Sequence, residues 1–542
     1  TSREQQLALK EKARQDSIEK AKHPVADTLV VKAPDSSSPA SVQEIKAGGY
    51  SSAANAKEEL FYVENKVFKI AFTNKGGQPK WVQLKNFKHP DSSQVILAAG
   101  DFNSIDYPVN TGSGSATIKE LAFQQVSRSA HAAGDSIISF TLQPDSAGPS
   151  ITHQFTIKPD DYMIGFDIKM NGADKLLTQG VMNLTWQYQA DQQESDIDFE
   201  KQNTQIGYVT DGEFDYHTIA RKSEKQFSNP VNWIAVRQRF FNTILVAKDN
   251  FNSGKMTWSI PPDSAKIVVK SIAGMRMETK GTRDLTVPLS MYYGPADYKL
   301  LKSYDLQMGK LINLGQGMYS FVRPINKYMV IPVFDFIKGF TSSYGLAIAL
   351  LTIFIRLLIS PLTYSSYLSG AKMRVLRPEI EKLKEKTGGD QQQMSMEQMK
   401  LFREAGVNPL GGCIPALLQI PIFFALYSFF NSNVALRGQS FLWAKDLSAY
   451  DKVIHFGANI PLLGDHLSLF TITAVITSFL ISLYSMNLTP DQSNPMLKYM
   501  PYIFPFFLLF FFNRLPSALT WYYTVSNVIT LLIQMVIQTY II

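Results

Sequence analysis

The chain has 542 residues, a net charge of +7 and 45% hydrophobic residues, enough for several domains. Its single cysteine, Cys413, excludes an intramolecular disulfide, and its 53 basic residues are scattered among 46 acidic ones without the basic, aromatic-interleaved patch that nucleic-acid recognition needs. Phosphate-binding glycine loops, nucleophile elbows and metal-ligand spacings are absent too, so no enzyme chemistry, cofactor, metal or catalytic residue is expected.

These averages combine two unlike parts. Up to about residue 310 the sequence is polar and turn-rich, whereas after residue 340 it contains nearly uncharged apolar runs such as Tyr344 to Leu358 and Tyr499 to Phe512. Residues 1–58 read as a charged helix (Thr1 to Lys22) followed by a linker rich in Ser, Ala, Pro and Gly. Residues 59–310 then alternate with period two. Phe68, Ile70 and Phe72 precede an Asn74-Lys75-Gly76-Gly77 turn. Further sets are Ile138, Phe140, Leu142; Ile151, His153, Phe155, Ile157; Ile164, Phe166, Ile168, Met170; Met182, Leu184, Trp186, Tyr188; and Leu285, Val287, Leu289, Met291. Short alternating strands between turn residues predict an antiparallel β-sandwich. His153, alone in its strand, reads as a surface or satisfied core histidine, not a ligand.

Residues 321–340 change to helical spacing. Ile325, Met329, Val333, Phe336 and Phe340 form the expected apolar face, with Arg323, Asn326, Lys327, Asp335 and Lys338 largely elsewhere. Such a helix, directly before a span, is expected to lie in the membrane interface. Residues 341–542 hold five expected spans: Tyr344 to Thr363, Pro415 to Asn431, Leu467 to Met486, Tyr499 to Asn513 and Pro516 to Tyr540. The first, at about 20 residues and about 30 Å, is long enough to cross a bilayer. Between the first two, residues 365–405 predict a charged helical hairpin around Thr387-Gly388-Gly389-Asp390. Its basic residues, including Lys372, Arg374 and Arg377, outnumber those of any other inter-span loop, which predicts a cytoplasmic hairpin and an outer β-domain. A domain of that size crosses a membrane only behind a targeting signal, so an anchor preceding Thr1 is expected.

Arg356 is the oddity of the first span, about seven residues and about 10 Å from its inner end. A guanidinium there costs a few kcal/mol unless it meets water or a partner. No acid lies in any of the five spans, which favours a hydrated groove open to the cytoplasm. Gln419, Tyr522, Tyr523, Ser526 and Asn527 are the polar positions that would line it with Arg356, although each alone is more often an interhelical hydrogen bond. The proline-broken second and fourth spans would thin the bilayer beside it.

Three runs carry a resemblance: TIFIRLLISPLTYSSYLSGAKMRVLRPEIEKLKEK, VNPLGGCIPALLQIPIFFALY and LPSALTWYYTVSNVITLLIQ. In order and spacing they resemble the bacterial insertases of the YidC/Oxa/Alb family, and the β-region ending in YYGPADYKLL looks like the periplasmic domain of the Gram-negative type. The resemblance implies a first transmembrane anchor, a periplasmic domain and a five-helix core in the bacterial inner membrane. It implies insertion and folding of nascent membrane proteins in the lipid bilayer, alone or beside the Sec translocon, with the ribosome docking on the cytoplasmic side. By motif position Arg356 matches the groove arginine, and Gln419, Tyr522 and Tyr523 match groove-lining or substrate-contacting positions. The hairpin from Ala371 to Ala405, with Lys372, Arg374, Arg377 and Glu381, corresponds to the cytoplasmic region needed for activity. Against the resemblance, the basic C-terminal tail of some relatives is expected to be absent or removed here, and residues 1–58 are longer than the family pattern. Two other classes remain open on residues alone: a solute transporter with a sugar-binding outer domain, which lacks the usual internal repeat among its spans, and a receptor or structural anchor.

Overall fold

The computed structural model describes residues 47–542 apart from 131–133, 280, 389, 407–413, 462, 487–494 and 541–542. The N-terminal charged helix, most of the expected linker and Cys413 therefore lie outside the described residues.

The alternating segments pair into antiparallel sheets. A nine-stranded sheet runs, edge to edge, through Glu213–Thr218, Gln205–Thr210, Val231–Arg237, Phe241–Phe251, Asp284–Pro295, Met163–Asn171, Ser150–Ile157, Ser136–Leu142 and Gln125–Ala130. A five-stranded sheet (Glu224–Phe227, Ser253–Ser259, Ile267–Glu278, Val181–Asp191, Ser104–Asp106), a four-stranded one (Leu60–Glu64, Phe68–Thr73, Gln78–Lys88, Gln94–Leu97) and a two-stranded pair (Pro108–Asn110, Ser115–Thr117) make up the rest of the β-domain. Because successive side chains point to opposite faces, the apolar member of each pair turns inward. Phe140, Ile151, Phe155, Phe166, Leu184 and Trp186 are buried in one continuous core, where Phe155 stacks flat on Phe166 at 4.6 Å. Each such ring contributes about 2 kcal/mol by leaving water. The turn after Thr73 closes as expected on two glycines of positive φ; a Cβ on Gly77 would press into Phe123 and Phe140.

His153 is a satisfied core residue. It is buried, with Nδ1 2.9 Å from the Gly77 carbonyl and Nε2 2.6 Å from the Tyr107 hydroxyl. The carbonyl only accepts, so Nδ1 carries the proton and Tyr107 donates to Nε2. Burial pushes the pKa of the imidazole down to about 4, keeping it neutral. One boundary is corrected: Ala47, Tyr50 and Ala53, expected in the linker, pack into the β-core, and the Tyr50 hydroxyl donates to Pro149 O at 2.6 Å. Their three-residue spacing aligns Tyr50 and Ala53 on one face of a short helical stretch (Gly48–Asn55) that Ala47 precedes, a signal too brief to stand out among small residues.

From Gly317 the chain is helical through a 3₁₀ turn (Gly317–Val322), Arg323–Ile325, a π turn (Asn326–Val330) and helix α1 (Ile331–Lys338). The inward face is Val322, Asn326, Val330 and Phe334, while Met318, Phe321, Tyr328, Phe336 and Phe340 are exposed. Of the expected apolar face, Ile325, Met329 and Val333 are half-buried against the helical core, and the fully buried stripe runs beside them in steps of four through the π turn. Phe336 and Phe340 thus face outward, and Asn326 is buried.

The remaining helices are α2 (Tyr344–Val375), α3 (Arg377–Lys386), α4 (Gln391–Glu404), α5 (Ile414–Ser432), α6 (Leu469–Met486), α7 (Pro495–Phe512) and α8 (Ser517–Tyr540). Among the described residues, Tyr344–Ser366 within α2 is the one stretch long and apolar enough to cross a membrane; Leu469–Tyr484 and Tyr502–Phe512 are shorter apolar helices. α2 runs unbroken past Ser365, so the expected hairpin begins within the span's own helix and turns back only between α3 and α4. Asp390 caps α4, accepting from the amides of Gln392 at 2.9 Å and Gln393 at 3.1 Å. Helices α1, α2, α5, α6 and α8 share a second core, including Phe334, Ile348, Leu351, Leu426, Phe430, Ala474 and Leu519.

Candidate functional site

The site forms where α2, α5 and α8 meet. On α2, Arg356 sits one turn beyond Thr352, at the edge of the shared core. Its Nε donates to the Ser526 hydroxyl of α8 at 2.7 Å, and Nη2 donates to the same oxygen. Ser526 is fully buried, whereas Arg356 is half-buried. Two donations into one hydroxyl leave the rest of the five-donor fork without an acid among the described residues. Tyr522, one turn earlier on α8, is fully buried beside Arg356, Ser526 and Gln419 of α5, but its hydroxyl completes a hydrogen bond with none of them. Tyr523 also adjoins Gln419 and Arg356, its ring packed on Phe423 of α5 (5.9 Å) and Phe512 of α7 (4.9 Å). The structure therefore brings Arg356, Gln419, Tyr522 and Tyr523 together.

Beyond Arg356 a cavity of about 500 Å³ opens between α2 and α8, lined by Arg356, Ser360, Thr363, Tyr364, Thr530 and Leu532 among others. Polar positions recur at helical spacing on both helices: Arg356, Ser360 and Tyr364 every four residues on α2, and Tyr522, Ser526 and Thr530 on α8. That spacing is legible in the sequence, yet Ser360, Thr363, Tyr364 and Thr530 had not been singled out. Pro361 has no N–H for the Leu357 carbonyl, and the Ser360 hydroxyl supplies that bond at 2.7 Å.

Asn527 is set apart from this group. Its amide nitrogen donates across to α6, to Ala474 O at 3.2 Å, Thr477 Oγ1 at 3.2 Å and Ser478 Oγ at 2.8 Å. One residue after Ser526 is about 100° around the helix, which turns it from α2 towards α6. It is an interhelical tie, not a companion of Arg356. In the hairpin, Lys372 and Glu381 are exposed and Lys382 pairs with Glu379 at 2.9 Å. Arg374 and Arg377 are on helical backbone, and their side chains lie outside the described residues.

A β-rich domain joined to apolar helices around one buried-edge arginine defines a multidomain membrane protein. The family described as "60Kd inner membrane protein" matches residues 336–542, and the "YidC periplasmic domain" matches residues 61–330. Among similar proteins, the membrane protein insertase YidC of Parabacteroides distasonis is 33% identical, spanning 89% of this chain and 78% of its own. That of Porphyromonas gingivalis is 34% identical over 97% of this chain and 86% of its own, and that of Phocaeicola vulgatus 31% over 97% and 85%. The chain belongs to the YidC family of membrane protein insertases, with its β-domain in the periplasm and its helical part in the inner membrane.

Proposed function

We propose that insertion runs through the concavity between α2, α5 and α8, with Arg356 as its charged contact. In this reading α2, α5, α6, α7 and α8 are the five spans, and the hairpin α3–α4 is cytoplasmic, where its bases follow the positive-inside rule and meet the ribosome. In this reading the chain works alone or beside the Sec translocon. The observation that carries the reading is the cavity of about 500 Å³ that opens at Arg356 between α2 and α8, mostly apolar but with the hydroxyl residues Ser360, Thr363, Tyr364 and Thr530 in its lining. A polar peptide segment entering there keeps hydrogen-bond partners while its apolar part meets lipid, which lowers the cost of leaving water without any covalent step. The free donors of Arg356 suit acidic residues of that segment, and the unpartnered Tyr522 hydroxyl offers a further contact. The test reconstitutes the chain into protein-free liposomes and follows protease protection of small membrane proteins with acidic translocated segments. Arg356→Ala is expected to lower protection and Arg356→Lys to keep part of it; full activity of Arg356→Ala across several such substrates refutes the groove reading.

A further inference from the structure

Where the β-domain meets the outer ends of the helices, each side sends one arginine into the other. Arg239, in the tight turn between Val231–Arg237 and Phe241–Phe251, is buried and donates to Ser448 O at 2.6 Å and to Asn431 O at 3.3 Å. Its guanidinium lies over Phe240 at 4.4 Å and Phe199 at 4.7 Å. In return Arg437, five residues beyond α5, enters the β-domain. It donates to Glu194 Oε1 at 2.6 Å, to Gln193 O at 2.9 Å and to Lys88 O, over the Phe241 ring at 5.0 Å. Both members of the Arg437–Glu194 pair are almost fully buried, with side chains 4% and 7% exposed. Tyr450 adds a bond to Asp196 at 3.0 Å.

All these bonds flank one helix end. Asn431 lies in the last turn of α5, whose carbonyls have no partner within the helix and carry its negative dipole end, so a buried guanidinium there satisfies both. The same half of α5 is held by Asn326, donating to Ala425 O at 2.8 Å, and by Ser432, donating to Asn313 O at 3.0 Å. Gln419 lies about 18 Å along the helix from Asn431, and Pro421 removes a backbone bond between them. α5 is thus fixed at its outer half and interrupted before the turn that carries Gln419.

We propose that Arg239 and Arg437 are positioning residues for insertion: the exchange makes the outer half of α5 a fixed post on the β-domain, and so sets where Gln419 meets Tyr522 and Tyr523. The functional part of this inference rests on the groove reading above; the mechanical part does not.

The test uses the full chain in nanodiscs with Cys413→Ser and spin labels at Lys66→Cys on the β-domain and Ile420→Cys beside Gln419, both exposed positions. The parent is expected to give one narrow distance distribution. Arg239→Ala with Arg437→Ala is expected to broaden it and to slow insertion several-fold, and the double lysine variant to restore part of both. An unchanged width in the double alanine variant overturns the proposal. A broadened width with undiminished insertion overturns the positioning role. Arg356→Ala, assayed in parallel, leaves the width unchanged and reports on the groove alone, so the two readings fail separately.

Discussion

Lowering the pH should loosen the β-domain through His153. Its folded pKa is held at about 4 by burial, against 6.5 for the exposed ring. Protons therefore bind the unfolded chain first, and the sign follows: stability is complete above pH 6.5, falls as pH drops towards 4, and levels off below it. A gap of about 2.5 pKa units at 1.36 kcal/mol each gives about 3 kcal/mol, a roughly hundred-fold rise in the open population between pH 7 and pH 4. Carboxylates titrate over part of the same range, so the informative quantity is a difference. Hydrogen exchange of strand Ser150–Ile157 in the full chain, compared with His153→Gln, isolates the histidine. Glutamine keeps a donor and an acceptor but cannot take the proton, so its slope with pH should be shallower by up to one proton. Equal slopes in the two proteins would refute the neutral, buried imidazole.

Three other perturbations test the packing of the helices. A Cβ on Gly345, in the first turn of α2, would run into the Phe441 ring; Gly345→Ala should destabilise by about 1–3 kcal/mol, and Phe441→Leu should recover part of the lost melting temperature. Asp451 accepts from Trp443 at 3.0 Å, from the Ser468 hydroxyl at 2.5 Å and from the Leu469 amide at 2.8 Å at the start of α6. Asp451→Ala should cost about 3 kcal/mol or more, read as faster exchange in the first turn of α6. Asn527→Ala should cost about 1–2 kcal/mol of stability while leaving insertion per folded molecule unchanged; a loss of insertion as large as that of Arg356→Ala would return Asn527 to the groove.

The β-domain was legible wherever one face of a strand is buried, because alternation such as Ile138, Phe140, Leu142 records burial directly. The strand order was not: Asp284–Pro295 lies between Phe241–Phe251 and Met163–Asn171, a pairing set by long-range closure that leaves no local mark. The helical spacing of residues 321–340 was legible, with Ile325, Met329 and Val333 against the helical core, but the burial of Asn326 was not, since a π turn has no reliable residue signature. α5 is apolar all round, so nothing in its pattern says which side meets the β-domain. Arg239 and Arg437 were invisible for the opposite reason: in polar surroundings a single charge looks like surface. Arg356 stood out because its surroundings are apolar, and Ser526 was found with it only as one polar position among several in α8.

α2 is one helix of 32 residues, about 48 Å from Tyr344 to Val375. Its outer end is pinned by the Gly345 contacts, where Trp521 donates to Gly345 O at 3.0 Å, and its far end runs directly into the charged hairpin. Pro361 lies between the two, about a turn beyond Arg356, where the Ser360 hydroxyl replaces one main-chain bond of the helix. α2 thus carries its arginine and its proline in adjoining turns, between an end held in the helical core and an end that leads into the hairpin.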